Sequence, residues 1–190
     1  PKTALDLQVR GSVGTFSAGR PGEASVQVRY IQTHVGLTEG GGHADRLLDH
    51  LTPVREVFNL QELTFEQLMQ RDINDARVST ELIPYLLSQG RGGLVKLFPP
   101  IIVVVLPLDS HDRPSNYYPT VQTLTEELQG HPFQVIRSGQ VGKEVFEFRQ
   151  LLQGDEPQAH DYAELQLNTN RSALAIVDGQ HRAMALLALH

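Results

Sequence analysis

Leu174-Ala175-Ile176-Val177-Asp178-Gly179-Gln180-His181-Arg182-Ala183-Met184-Ala185-Leu186-Leu187-Ala188-Leu189 decides how the rest of the chain is read. Ala173 to Val177 is a short apolar run, and Asp178-Gly179 is a pair that stops strands. From His181 onward the residues are strong helix formers, with more apolar positions than a one-sided stripe needs. The stretch therefore predicts a buried strand, a glycine turn and a helix, with every polar residue gathered in the turn. Asp178 is expected to cap the helix, and Gly179 to let the backbone turn sharply or approach a ligand.

A helix N-terminus carries partial positive charge and unpaired N–H groups, so His181 and Arg182 in the first turn are unfavourable unless an anion joins them. A phosphate held by the amides would fit, with a guanidinium fork and an imidazole to contact it. The plainer alternative is an ordinary turn whose basic side chains face solvent or pair with a carboxylate.

Asp178-Gly179-Gln180-His181-Arg182 is also the signature that names the DGQHR-domain proteins, and the chain resembles that family, whose best-known members are the DndB-like proteins of DNA sulfur-modification systems. The family is similar to the ParB/sulfiredoxin-type fold, in which this strand-turn-helix holds nucleotide phosphate. The resemblance covers residues 59 to 190. It implies an α+β fold: a ParB/sulfiredoxin-like mixed sheet with flanking helices. It also implies a site in which Gly179, Gln180 and the following amides cradle phosphate, Arg182 neutralises charge developing in transfer, and His181 binds phosphate or orients a water. Asp178 would cap the turn or hold Mg²⁺ brought with an NTP, by expectation ATP. Asp178, His181 and Arg182 are the expected catalytic residues, with no metal held by the protein alone. Gln70-Arg71, Arg77 and Phe98-Pro99-Pro100 match what the family has ahead of its first strand, which adds Arg71 and Arg77 to the expected phosphate-binding residues. The implied activity is NTP hydrolysis in a DNA modification or phage-defence system. A non-catalytic DNA-binding regulator, or a structural subunit of such a system, is the rival. Nucleotide, DNA and other subunits are the expected partners. Sulfiredoxin chemistry is excluded, because Gln180 stands where that enzyme has its thiol and the chain has no Cys.

The 190 residues suffice for one sizeable core, and 40% hydrophobic with 20% charged residues is the balance of a globular chain. The absence of Cys excludes disulfides and thiolate metal sites. No apolar run reaches the roughly 20 residues of a membrane span, and the first residues do not read as a secretory signal, so the cytoplasm is the expected location. A net charge of −6 argues against a broad basic surface for DNA. The motif helix runs into the last residue, where ParB-type folds continue with more helices, so a C-terminally truncated domain is expected.

Ala4 to Arg10 and Ala24 to Ile31 alternate apolar and polar, predicting a hairpin, with Gly11 to Glu23 as its loop. A helical segment between His43 and His50 completes an N-terminal extension over 1–58, ahead of a DGQHR domain over 59–190. The two His, with Asp45 and Asp49, match no metal spacing and read as a solvated face. A helix lies within Asn59 to Met69, capped by Thr64 or Asn59, and another over Ser79 to Gln89, capped by Ser79 or Thr80 and closed by Gly90. Gln70 to Arg77 is the polar turn between them, and from the residues alone its arginines are surface charges. Ile101 to Leu106, β-branched and apolar on both faces, predicts a central strand. Asp109 to Pro119 reads as a surface loop in which adjacent His111 and Asp112 fix no catalytic geometry. Thr123 to Gln129 is open between helix and turn. Phe133 to Ile136, Val145 to Leu151 and Tyr162 to Leu167 read as strands, with turns at Gln153 to Pro157 and Asn168 to Arg171. No Walker-type glycine loop and no internal repeat occurs.

Overall fold

The computed structural model describes residues 5–19, 22, 24–34, 47–57, 74–88, 98–140, 142–157 and 162–189. It is a mixed α+β structure in two compact units, Pro1–Gly36 with Tyr117–Ser172, and Leu37–Asn116 with Ala173–His190. The contacts thus gather the chain differently from a division after residue 58. The first strand of the N-terminal hairpin pairs with a strand more than a hundred residues further on.

The first unit is a seven-stranded antiparallel sheet. Its strands are β1 (Leu7–Ala18), β2 (Val26–Gln32), β5 (Val121–Leu128), β6 (His131–Ser138), β7 (Phe146–Gln153), β8 (Glu156–Pro157) and β9 (Tyr162–Leu167), in the order β2-β1-β9-β7-β6-β5, with β8 on β7. The predicted loop over Gly11 to Glu23 is corrected: β1 continues through Gly11 and Gly14 to Ala18. Both glycines are sites of close approach. A Cβ on Gly11 would come within 2.0 Å of the Gln32 carbonyl oxygen, and one on Gly14 would strike the ring of Tyr30, its partner across the ladder. Glycine inside a strand marks such an approach as readily as a turn. Thr123 to Gln129 is neither helix nor turn over most of its length, because β5 runs to Leu128. It joins β6 through Gln129-Gly130, both at positive φ (54° and 79°). Paired positive φ values give the two-residue turn whose twist matches a hairpin.

The two faces of this sheet differ. One carries Val13, Phe148 and Ala163, all buried, with Ile31, Ile136, Phe146 and Leu165 against them. Arg29 of β2 crosses that face, its guanidinium 5.5 Å from the Phe148 ring centre and 3.1 Å from Gln134 Oε1. Four strand spacings in a flat sheet would separate β2 from β6 by about 19 Å, beyond the reach of an arginine, so the sheet curls over its apolar face.

The other face is a ladder of opposite charges. Arg137 stands opposite Glu147, Arg149 opposite Glu164, and Glu164 opposite Arg10. Glu147 bridges Arg137 and Arg149, Arg137 also reaches Glu126 at 3.3 Å, and Glu164 takes Arg149 at 3.3 Å and Arg10 at 3.4 Å. Opposite charges facing each other across strands stabilise the pairing, and like charges would oppose it. The Glu147 bridge raises the Arg137 guanidinium above its ordinary value.

Burial pushes the Glu164 carboxyl up, but hydrogen bonds from Gln166 and Gln8 and the Arg149 charge outweigh it and leave the group below its ordinary 4.5. Stability from a carboxylate lowered on folding is full above its unfolded value and is lost as pH falls through the folded one. Stability should therefore drop as the medium is acidified from pH 4.5 downward. Glu164→Gln should flatten that part of the profile, as read from urea midpoints at a series of pH values. An equally steep profile in the variant would rule Glu164 out as a source of the acid loss.

The second unit holds a three-stranded sheet in the order β3-β10-β4, with β3 (Leu51–Pro53), β10 (Ser172–Asp178) and β4 (Ile102–Pro107). Strands β10 and β3 are parallel, Leu174 to Ile176 lying beside Leu51 to Pro53. The prediction of a central strand over Ile101 to Leu106 is corrected here. Among the described residues β4 ends the order and Ile102 is exposed, while β10 lies between two neighbours with Leu174, Ala175 and Ile176 buried. Proline at the end of β4 suits an edge, where a missing N–H donor costs little.

Among the described residues its helices include α1 (Val54–Val57), α2 (Asp75–Arg77), a π-helical turn Val78–Leu82, α3 (Ile83–Leu87) and α4 (Gln180–Leu187). Helical structure thus begins four residues before the expected Ser79. Asn74 is the N-cap, its Oδ1 accepting from the Arg77 amide at 3.0 Å. The hydroxyls of Ser79 and Thr80 bond back to carbonyls at Asp75 and Ala76, the local competition that keeps them from capping. Val78 and Ala185 are buried together, with Leu82, Ile83, Leu86 and Met184 around them, which seats α4 on the π-helical turn. The helix expected within Asn59 to Met69, His43 and Arg71 lie outside the described residues. Among those residues no helix is long and apolar enough to cross a membrane.

Candidate functional site at the strand-turn-helix

The buried strand, glycine turn and helix fall where the sequence puts them. β10 ends at Asp178, Gly179 takes φ 80° and ψ 25°, and α4 begins at Gln180. That left-handed conformation penalises any residue with a Cβ, so the turn requires glycine. A Cβ here would also lie 2.6 Å from Nη2 of Arg182, because the guanidinium folds back against Gly179.

Asp178 does not cap the helix. Gly179 occupies the N-cap position and no side chain caps there. Asp178 is the last residue of the strand, one position too early, and its Oδ2 instead accepts from Arg182 Nη2 at 3.1 Å. The same Nη2 donates to the Pro100 carbonyl at 3.2 Å, tying the turn to the segment that leads into β4. Arg182 Nε and Gln180 Oε1 are buried with no partner among the described residues, while Gln180 Nε2 donates to the Ile176 carbonyl at 3.3 Å.

His181 is held from the other side. Its Nε2 accepts the backbone N–H of Asn74 at 2.9 Å, joining the motif to the start of the 75–87 helical segment. Five of the expected site residues, Asp178, Gly179, Gln180, His181 and Arg182, therefore share one turn. Arg77 does not join them by any hydrogen bond among the described residues; it pairs with Glu81 at 3.4 Å, both exposed. Asn74 and Pro100 belong to the site and were not expected there. Asn74 carries a signal, an Asn directly before Asp-Ala-Arg at a helix start. Pro100 contributes a carbonyl, which no side-chain pattern reveals.

Asp178 is two-thirds exposed and paired with Arg182, and no group of three His, Asp or Glu placed to hold a metal occurs among the described residues. Among the described residues Asp178 has no pair of further carboxylates or His grouped with it to hold Mg²⁺.

The 109–113 loop is closed on itself. Asp109 accepts the amides of His111 and Arg113 at 2.8 and 3.1 Å, and these bonds, Arg113 first, hold its carboxyl below the usual range. That arrangement is a turn closed by Asp109 on its own amides, in the loop expected between residues 109 and 119. No protein-family model, curated protein or solved structure matches the chain.

Proposed function

We propose that the Asp178–Arg182 turn binds the phosphates of a nucleoside triphosphate, and that the chain is the nucleotide-binding part of a DNA modification or phage-defence system. The observation that carries this reading is Arg182. Its guanidinium lies against Gly179 at the positive end of α4, with Nε buried and unpartnered among the described residues. A cation at that end of a helix is unfavourable without an anion. Asp178 supplies one, but a largely exposed carboxylate stabilises the pair weakly. A phosphate would offer several charged acceptors to the helix amides and the guanidinium together.

NTP hydrolysis is the activity that the DGQHR resemblance implies. Mg²⁺ would arrive on the nucleotide, and Arg182 would neutralise charge on the transferred phosphoryl group. One observation favours a non-catalytic switch instead. The Asp178 carboxylate and His181 Nε2, the groups a hydrolytic site would use on a metal and a water, are both taken by the protein. The net charge of −6 argues against a broad basic surface for DNA backbone.

Binding and hydrolysis of ATP, GTP and CTP with Mg²⁺ test the proposal, comparing the chain with Arg182→Ala. Loss of a charge-assisted contact should weaken nucleotide binding by about ten- to a hundredfold. Turnover that disappears with Arg182 supports the enzyme, and binding without turnover supports the switch. Absence of binding to all three nucleotides would sink both.

A further inference from the structure

We infer that Asn74 is a positioning residue of the 178–182 site: its backbone N–H fixes His181 as the neutral Nδ1–H tautomer, so His181 serves the bound phosphate as a hydrogen-bond donor. This inference rests on the nucleotide-phosphate reading of the same turn and gives His181 one role out of the two that reading leaves open.

A neutral imidazole has one donor nitrogen and one acceptor nitrogen, and the partner of either sets the tautomer. A backbone amide can only donate. Nε2 of His181, 2.9 Å from the Asn74 nitrogen, must therefore present its lone pair, and the ring proton resides on Nδ1. Nδ1 has no partner among the described residues, and its ring belongs to the first turn of α4, where the helix amides lack intrahelical acceptors. An Nδ1–H donor suits a phosphate oxygen. The same assignment removes His181 as a general base through Nε2, since that lone pair is already committed.

The donor is held in place by more than one contact. Asn74 caps the segment that starts at Asp75, which fixes the peptide plane carrying its N–H. The π-helical turn Val78–Leu82 follows directly, and its Val78 is buried against Ala185 of α4. A π-helical register rotates the residues before it relative to those after it, and such turns often occur at functional sites. Here it lets one helical segment pack on α4 through Val78 while directing Asn74 at His181, one turn earlier on the same helix.

Nitrogen-15 NMR of the imidazoles, assigned with His181→Gln, reads the tautomer directly in mildly alkaline buffer. The expected result is a protonated Nδ1 and a bare, hydrogen-bonded Nε2 at His181 in the free protein. A protonated Nε2 would overturn the inference. Adding ATP with Mg²⁺ should then shift Nδ1 and leave the Nε2 signal in place. Binding of ATP with no change at Nδ1 would overturn the donor role. If ATP does not bind at all, the phosphate reading of the turn fails and takes the donor role with it, while the tautomer stands as measured.

Two variants separate positioning from folding. Asn74→Ala and Asn74→Pro both remove the capping side chain, but only proline removes the N–H, and the φ of −82° at Asn74 lies near the proline range. Nucleotide affinity should fall about tenfold further in the proline variant than in the alanine variant, the worth of one hydrogen bond to the site. Equal affinity in the two, with both folded by circular dichroism, would show that the N–H does nothing for the site.

Discussion

Glu147→Ala should lower the stability of the antiparallel unit by about 3 kcal/mol, the low end of what breaking a buried ion pair costs. The Glu147 side chain is 4% exposed and serves two guanidiniums, Arg137 on the neighbouring strand and Arg149 on its own. Removing it leaves both arginines mostly buried with only their outer partners, Glu126 and Glu164, each at 3.3 Å. Those outer contacts are why the loss sits at the low end. Glu147→Gln should cost less, because the amide oxygen still accepts one bond, though it cannot neutralise either charge. Replacing Arg137 and Glu147 together by Met and Leu should recover most of the loss, since an apolar pair of similar volume avoids the desolvation penalty. Urea unfolding followed by far-UV circular dichroism measures all three. A loss under about 1 kcal/mol in Glu147→Ala would mean that the ladder is solvated and behaves as a set of surface pairs.

Among the described residues the ladder pairs the charges of this face with one another. Three arginines (10, 137 and 149) meet three glutamates (126, 147 and 164), and each charge has a partner on the face itself. In the sequence these residues are ordinary members of an apolar–polar alternation. Only the register of four paired strands brings Arg137, Glu147, Arg149, Glu164 and Arg10 side by side.

Local signals were readable where one segment determines its own form. The strand, turn and helix at 174–189 need only an apolar run, a glycine and good helix formers, and β9 falls on the six residues expected for it. Gly11 and Gly14 misled because a glycine records freedom from a side chain without saying what uses it. Here the Gln32 carbonyl and the Tyr30 ring use it. Thr123 to Gln129 is a missed hairpin arm: Gln129-Gly130 is a two-residue turn, but Gln is an uncommon choice at positive φ. Ile101 to Leu106 and Ala173 to Val177 are both apolar on two faces, and composition alone cannot rank which has neighbours on both sides. At the motif, residue types fixed which groups would gather but not how they divide their bonds. Asp178 turns to Arg182 within the turn itself, whereas His181 reaching a main-chain amide over a hundred residues away in sequence depends on the packing of α4 against the 75–87 segment.

Ile176→Ala should destabilise the unit that carries the motif by about 2–5 kcal/mol, and Ile176→Val by about 1 kcal/mol. Ile176 is wholly buried in the middle strand of β3-β10-β4, and truncation there opens a cavity that neighbours on both sides prevent from collapsing. The consequence for the site goes beyond stability. Asp178 and Gly179 follow Ile176 on the same strand end, and the Ile176 carbonyl accepts from Gln180 Nε2. A loosened β10 therefore loosens the turn that sets Arg182 against Gly179. Hydrogen exchange should show this before global unfolding does, with faster exchange at Ala183, whose amide donates to the Gly179 carbonyl at 2.8 Å and closes the first turn of α4. Exchange at Ala183 unchanged in Ile176→Ala would mean that α4 holds the turn without the strand. In that case the geometry at 178–182 would derive from the seating of Ala185 on Val78, and Ala185→Leu, which overpacks that contact, would become the substitution that disorders the motif.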